Sequence, residues 1–175
     1  MLGPISLKRL ALVEPILAEL IMTLSEQLSE PIGITQGLRT SKEQVALYSQ
    51  GRDSLTLVND FRKQVGWAPI LPRENLMTVT NAMPGYSNHE FGLAVDVVPF
   101  ESSQHPDWDV THPIWQEIVT KGQALGLTSG ISWHDEPHLQ RTGRFPVTPD
   151  DEVRQLFATG GLALVWKEAF KGMST

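Results

Sequence analysis

Hydrophobic and polar positions fall into two rhythms along this chain. In "MLGPISLKRLALVEPILAELIMTLSEQL" the residues Leu10, Val13, Ile16, Leu17, Leu20 and Leu24 recur at three- and four-residue spacing, which predicts an amphipathic helix packed on a core. "PIGITQGLRT" (31–40) reads as a short strand ending in a polar turn. Thr40 or Ser41 then caps a helix over "SKEQVALYSQ", with Glu43 and Gln44 placed to answer the cap and Gly51 to stop it. Residues 53–75 carry Pro69, Pro72 and little periodicity, so a long surface excursion is expected. "LMTVTNA" (76–82) looks like a strand and "GLAVDVVPF" (92–100) like a more buried one. A polar loop over 101–112 leads to a helix in "HPIWQEIVTKGQALGL" that ends near Gly126. "ISWHDEPHLQ" follows as a strand pair or bent strand. One or two closing helices, capped by Thr148 or Asp150 and broken at Gly160 and Gly161, span 148–171. Helices flanking a small, antiparallel sheet make an α+β fold.

With 175 residues, a single domain over 1–175 is expected, with no repeat or low-complexity tract. The formal charge of −6, with no compact Lys/Arg patch, disfavours nucleic acid and anionic membranes as partners. Lys8 and Arg9 ahead of apolar residues imitate a signal peptide. Glu14, Glu19 and Pro15 interrupt that run, however, and no small-residue cleavage site follows. No segment approaches the ~20 apolar residues of a membrane span. The chain is therefore expected to be made as a soluble cytoplasmic product, and nothing demands more than a monomer. It has no cysteine, so any metal must be held by His, Asp or Glu.

That restriction directs attention to "SNHEFGLAVDVVPF" (87–100), where His89 precedes Asp96 by seven residues. In a regular strand an odd separation sends two side chains to opposite faces, but Gly92 offers a bend that lets both reach one point. "WHDEPHLQ" (133–140) adds His138 from another strand. Two imidazoles and a carboxylate suit zinc. Spacing alone equally allows a surface histidine and a turn-capping aspartate, and His105, His112 and His134 complete the histidine inventory.

The same residues carry a resemblance. "SNHEFGLAVDV" matches the S-x-H-x-x-G-x-A-x-D signature of the zinc peptidases that cut bacterial peptidoglycan peptides, through Ser87, His89, Gly92, Ala94 and Asp96. Those peptidases form the M15 family: D-Ala-D-Ala carboxypeptidases and dipeptidases, and L-alanyl-D-glutamate endopeptidases of phage endolysins. They share a fold with the lysostaphin and hedgehog group. Asp135-Glu136-Pro137-His138 resembles the family's downstream acidic residue three before a histidine. "GLRTSKEQVALYSQGR" resembles its upstream stretch through Arg39, Thr40, Gln44, Leu47, Tyr48, Gly51 and Arg52. The likeness covers about residues 30–142. "TSGISWHDEPH" is compressed relative to the family's Gly-Gly-Asp-Trp-like run, which leaves the wall of the pocket there open.

The resemblance implies zinc held by His89, Asp96 and His138. It implies Asp135 as general base, with Glu136 as rival because strand alternation puts it on the face of His138. Arg39 is implied as the cation for the developing oxyanion or a substrate carboxylate, and Ser87 as a hydrogen-bond partner of the peptide. Gln44, Tyr48 and Arg52 are expected to shape the helix and support the pocket. The implied substrate is the peptidoglycan stem peptide, cut at L-Ala-D-Glu because D-x-P-H fits that branch, by an endolysin-like enzyme that reaches the wall after release. The rivals are a D-alanyl-D-alanine carboxypeptidase and a non-catalytic zinc-containing binding module on the same fold.

Overall fold

A computed structural model describes residues 2–100 and 105–173. Its centre is a four-stranded antiparallel sheet in the order β1-β2-β4-β3: β1 Ile32–Gln36, β2 Ala94–Pro99, β3 Thr128–Ser129 and β4 His138–Gln140. Among the described residues the helices are α1 Pro4–Leu10, α2 Pro15–Gln27, α3 Ser41–Ser49, α4 Leu55–Gln64, α5 Pro113–Ala124 and α6 Asp151–Ala169. The α+β class matches the sequence reading.

Two-residue alternation sorts β2 and β4 into two faces. Val95, Val97 and Leu139 are fully buried in one core with Leu17, Ile21 and Leu24 of α2 and Ile118 of α5. Each such side chain contributes about 1.5–3 kcal/mol by leaving water. Asp96 and His138 stand directly opposite one another in the β2–β4 ladder, one position away from the Val95–Leu139 rung, and so face the other side. The outer edge of β1 is covered by α1: Ser6 Oγ accepts from the Ile34 N–H at 3.0 Å, and the Arg9 guanidinium donates to the Ile34 carbonyl.

A smaller core joins Phe91, Leu93 and Phe145 to Val153, Val165 and Ala169 of α6. Trp166 Nε1 donates to the Phe91 carbonyl at 2.8 Å, tying α6 to a 3-10 turn at Asn88–Phe91. That turn ends at Gly92 with φ 63°, where an added Cβ would lie 3.0 Å from the Trp166 ring. Only glycine combines that backbone with that closeness.

Several segments depart from the sequence reading. The N-terminal helix is two helices: Pro15 opens α2, and the Glu14 carboxylate caps it by accepting from the Leu17 N–H at 2.7 Å. The periodicity runs through the break because Leu10, Val13 and Leu17 enter the same core. The excursion over 53–75 contains α4, capped by Ser54, with Val58 buried and Leu55 and Phe61 half-buried on the same face. The segment 76–82 is not a strand. After a 3-10 turn at Glu74–Leu76 the chain runs from Thr78 to Met83 without turn, bend or ladder partner. The expected 92–100 strand is shorter, Ala94–Pro99, and His89 precedes it on the 3-10 turn. "ISWHDEPHLQ" is mostly a 3-10 turn, Gly130–Trp133, and a loop before β4, with β3 ahead of it. Residues 101–104 of the polar loop lie outside the described residues. Asp150 caps α6, which kinks at Gly161 (φ 62°, ψ −161°) as the glycine pair predicts.

Candidate metal centre and its cleft

Three elements converge on one point: His89 from the 3-10 turn, Asp96 from the middle of β2, and His138 from the start of β4. His89 Nε2 lies 3.2 Å from Asp96 Oδ1 and 3.3 Å from His138 Nδ1, and His138 Nδ1 lies 3.5 Å from Asp96 Oδ1. Donor atoms around a tetrahedral zinc, with bonds of about 2.0–2.1 Å, stand about 3.3 Å apart. The triangle has that size.

The surrounding hydrogen bonds orient the ring nitrogens. His89 Nδ1 donates to the Gly37 carbonyl at 2.9 Å, which turns the Nε2 lone pair inward. His138 Nε2 donates to Gln140 Oε1 at 2.8 Å, which turns the Nδ1 lone pair to the same point. Gln140 is fixed in turn, because its Nε2 donates to the Val147 carbonyl at 3.0 Å and its Oε1 also accepts from Asn88 Nδ2 at 2.8 Å. Asp96 Oδ1 is buried and has no hydrogen-bond donor among the described residues. Three acceptors aimed at one another form a cage for positive charge. Burial opposes ionisation of Asp96, but the closeness of the His89 and His138 imidazoles outweighs it, holding the carboxyl far below its usual range. Burial lowers His138, yet its contacts with Asp96 and Gln140 raise it overall. His, Asp and His at these distances can hold a divalent metal ion.

The triad lies at the base of a cleft of about 800 Å³, lined also by Arg39, Ser87, Trp133, Asp135 and the straight segment 78–83. Asp135 is half-exposed, with Oδ2 3.9 Å from His138 Nδ1, and burial followed by the nearby Asp96 charge raises its carboxyl above the usual value. Glu136 lines a separate, smaller cleft with Trp115 and His112, so Pro137 and the loop have broken the alternation that favoured it. Arg39 is buried: Nη1 donates to Gln44 Oε1 at 2.7 Å, Nη2 stands 3.9 Å from Asp96 Oδ2, and Nε has no partner among the described residues. Burial lowers this guanidinium's pKa against the pull of Asp96 and Glu90. Ser87 is buried at the cleft wall.

The remaining histidines are not in the triad. His105 is exposed, and His112 pairs with Asp107 on the surface. His134 lines the cleft with φ 61°, a left-handed conformation that histidine adopts more readily than most residues. Gln140 and Trp133 escaped the sequence reading. Gln140 follows His138 by two on the same strand and so shares its face, a signal that was present. Trp133 reaches the cleft only because the 3-10 turn brings it there. Gln44, expected as a support, bridges Arg39 to the cleft wall, since its Nε2 donates to the Ala82 carbonyl at 2.7 Å.

The chain is similar to known proteins. Residues 80–141 match a peptidase M15 family model described as D-alanyl-D-alanine carboxypeptidase. The peptidoglycan L-alanyl-D-glutamate endopeptidase CwlK of Bacillus subtilis (strain 168) is 31% identical over 117 residues, which are 61% of this chain and 58% of that protein. The match thus spans less than two thirds of the curated relative's length. The crystal structure of the Serratia marcescens L-Ala D-Glu endopeptidase ChiX aligns with a TM-score of 0.50 and 20% identity, over 81% of this chain and 90% of that one, a likeness of fold.

Proposed function

We propose that this chain, whose residues 80–141 match the M15 peptidase model, is a zinc-dependent peptidase of that family that acts on the peptidoglycan stem peptide, cutting the L-Ala-D-Glu bond. The observation that carries the reading is the triangle of inward lone pairs on His89, Asp96 and His138, with the Asp135 carboxylate beside it in an open cleft.

His89, Asp96 and His138 would hold the ion, and zinc bound there supplies Lewis-acid polarisation and lowers the pKa of a water to about 7. Asp135 takes a proton from the attacking water as the C–O bond forms, and returns it to the amine nitrogen as the C–N bond breaks. Its raised carboxyl suits a group that must both accept and give up that proton. Arg39 faces the negative charge that develops on the former carbonyl oxygen, or a carboxylate of the substrate. Gln44 holds one end of the guanidinium, leaving Nη2 for that contact. Ser87 hydrogen-bonds the peptide backbone.

Digestion of purified muropeptides by the zinc-loaded protein, read by mass spectrometry, tests the reading. Release of whole stem peptides is expected, and chelation should abolish it. The description of the matching family favours a second reading, a D-alanyl-D-alanine carboxypeptidase. Loss of a single terminal alanine would establish that reading instead. A zinc-loaded sample that cleaves neither bond would mark the chain as a binding module.

A further inference from the structure

The segment Thr78–Met83 has the composition of a strand and no strand to pair with. Thr78, Val79 and Thr80 are β-branched, a type enriched in sheets. The segment runs without turn or bend along the wall of the cleft that holds the triad. It is firmly mounted. Asn75 Nδ2 donates to the Asp53 carbonyl at 3.0 Å, Gln50 Nε2 to the Glu74 carbonyl at 2.9 Å, and Gln44 Nε2 to the Ala82 carbonyl at 2.7 Å. An added Cβ on Gly51 would lie 2.7 Å from the Thr78 nitrogen, so the wall is pressed against the end of α3.

These contacts separate held positions from free ones. The Ala82 carbonyl faces α3, where Gln44 holds it, the Ala82 N–H donates to Thr80 Oγ1 at 3.2 Å, and the Thr78 nitrogen lies against Gly51. Val79 and Asn81 lie between these anchored positions and are exposed. Among the described residues no hydrogen bond reaches the backbone N–H or C=O of either. A row of unpaired amides along a cleft is a template for an added strand.

We propose that the substrate peptide binds in extended form as a strand against this wall, exchanging main-chain hydrogen bonds with Val79 and Asn81, so that its scissile bond is laid across the triad. The inference rests on the peptidase reading of the cleft and adds the mode of recognition. Main-chain pairing supplies affinity without reading side chains, and specificity is left to the pockets on either side.

Residue-resolved amide hydrogen exchange on the zinc-loaded Asp135→Asn variant tests this, with and without a synthetic peptide carrying an L-Ala-D-Glu bond. Exchange at Val79 and Asn81 is expected to slow about tenfold or more on peptide addition, while Thr78 and Thr80 change little. If the His89 and His138 ring signals shift with peptide but Val79 and Asn81 exchange as before, the added strand is refuted and the peptidase reading stands. A peptide that neither moves those rings nor is cut by the zinc-loaded wild type refutes both. Val79→Pro, which deletes one donor, should lower kcat/KM about tenfold with zinc content and unfolding midpoint retained. Undiminished kcat/KM in that variant also overturns the proposal.

Discussion

Asp96 has one buried oxygen aimed at two imidazole nitrogens whose own protons point elsewhere. At this scale the site is a matter of single atoms. Asp96→Asn keeps the volume but removes the charge, and bound zinc measured by elemental analysis should fall to near zero. Gln140→Ala leaves all three ligands in place but frees the His138 ring, and a loss of about 10–100-fold in zinc affinity is expected by competition with a chelator. Asp135→Asn should do the reverse, retaining zinc while turnover of muropeptides disappears; full activity would remove Asp135 from the mechanism. Away from the cleft, the His112 imidazole is raised by its hydrogen bond with Asp107, whose carboxyl is lowered by the same contact. The stabilisation from His112 is fully present below the free imidazole value of about 6.5 and is lost as pH rises through its higher folded value. The share from Asp107 is present above the free carboxyl value of about 3.9 and fades as pH falls through its lower folded one. The loop they join is thus held best between those limits, and NMR titration of His112 should give a midpoint above 6.5 that Asp107→Asn brings back down.

Elements decide how accurately those atoms are aimed. Gly130 sits under the loop that carries Asp135: an added Cβ would lie 2.3 Å from the Asp135 carbonyl oxygen and 2.9 Å from His138 Cβ. Gly130→Ala must push that loop outward, so kcat/KM should drop while the far-ultraviolet dichroism of the sheet and helices is kept. Elements whose signals are local were legible in the sequence. Thr40 and Glu43 form the reciprocal cap of α3, with Thr40 N–H to Glu43 Oε2 at 2.7 Å and Glu43 N–H to Thr40 Oγ1 at 3.2 Å. Gly92 bends the chain between His89 and Asp96, and Gly161 kinks α6, both as read. Elements made by tertiary contact were not. α4 has a single buried residue, Val58, in a mostly polar stretch, β3 has two residues, and 76–82 has strand chemistry without a partner. Residue spacing alone raised His89, Asp96 and His138 only as candidates beside three other histidines. Motif resemblance singled them out, and their convergence required the β2–β4 register.

For the whole molecule, the triad ties together parts that are otherwise joined by long stretches of chain. His89 is held through Phe91 by Trp166 of α6, and Asp96 and His138 belong to adjacent strands whose far face is the main core. An ion bound there would brace both cores at once. At free zinc about 100 times its dissociation constant, binding adds about 2.7 kcal/mol to stability. For a chain of this length that is about 5–10 °C in the unfolding midpoint. Thermal scans with zinc and with excess chelator should differ by that amount in the wild type, and not at all in Asp96→Asn.

Asp96 and His138 share a rung of the ladder. Sliding β4 past β2 by one residue would send His138 into the hydrocarbon interior and bring Leu139 to the cleft. A misaligned chain would have only two of its three ligands at the centre. A zinc ion held there would proofread strand alignment: refolding with zinc present should discard slipped pairings, whereas refolding under chelation leaves hydrophobic matching as their main corrector.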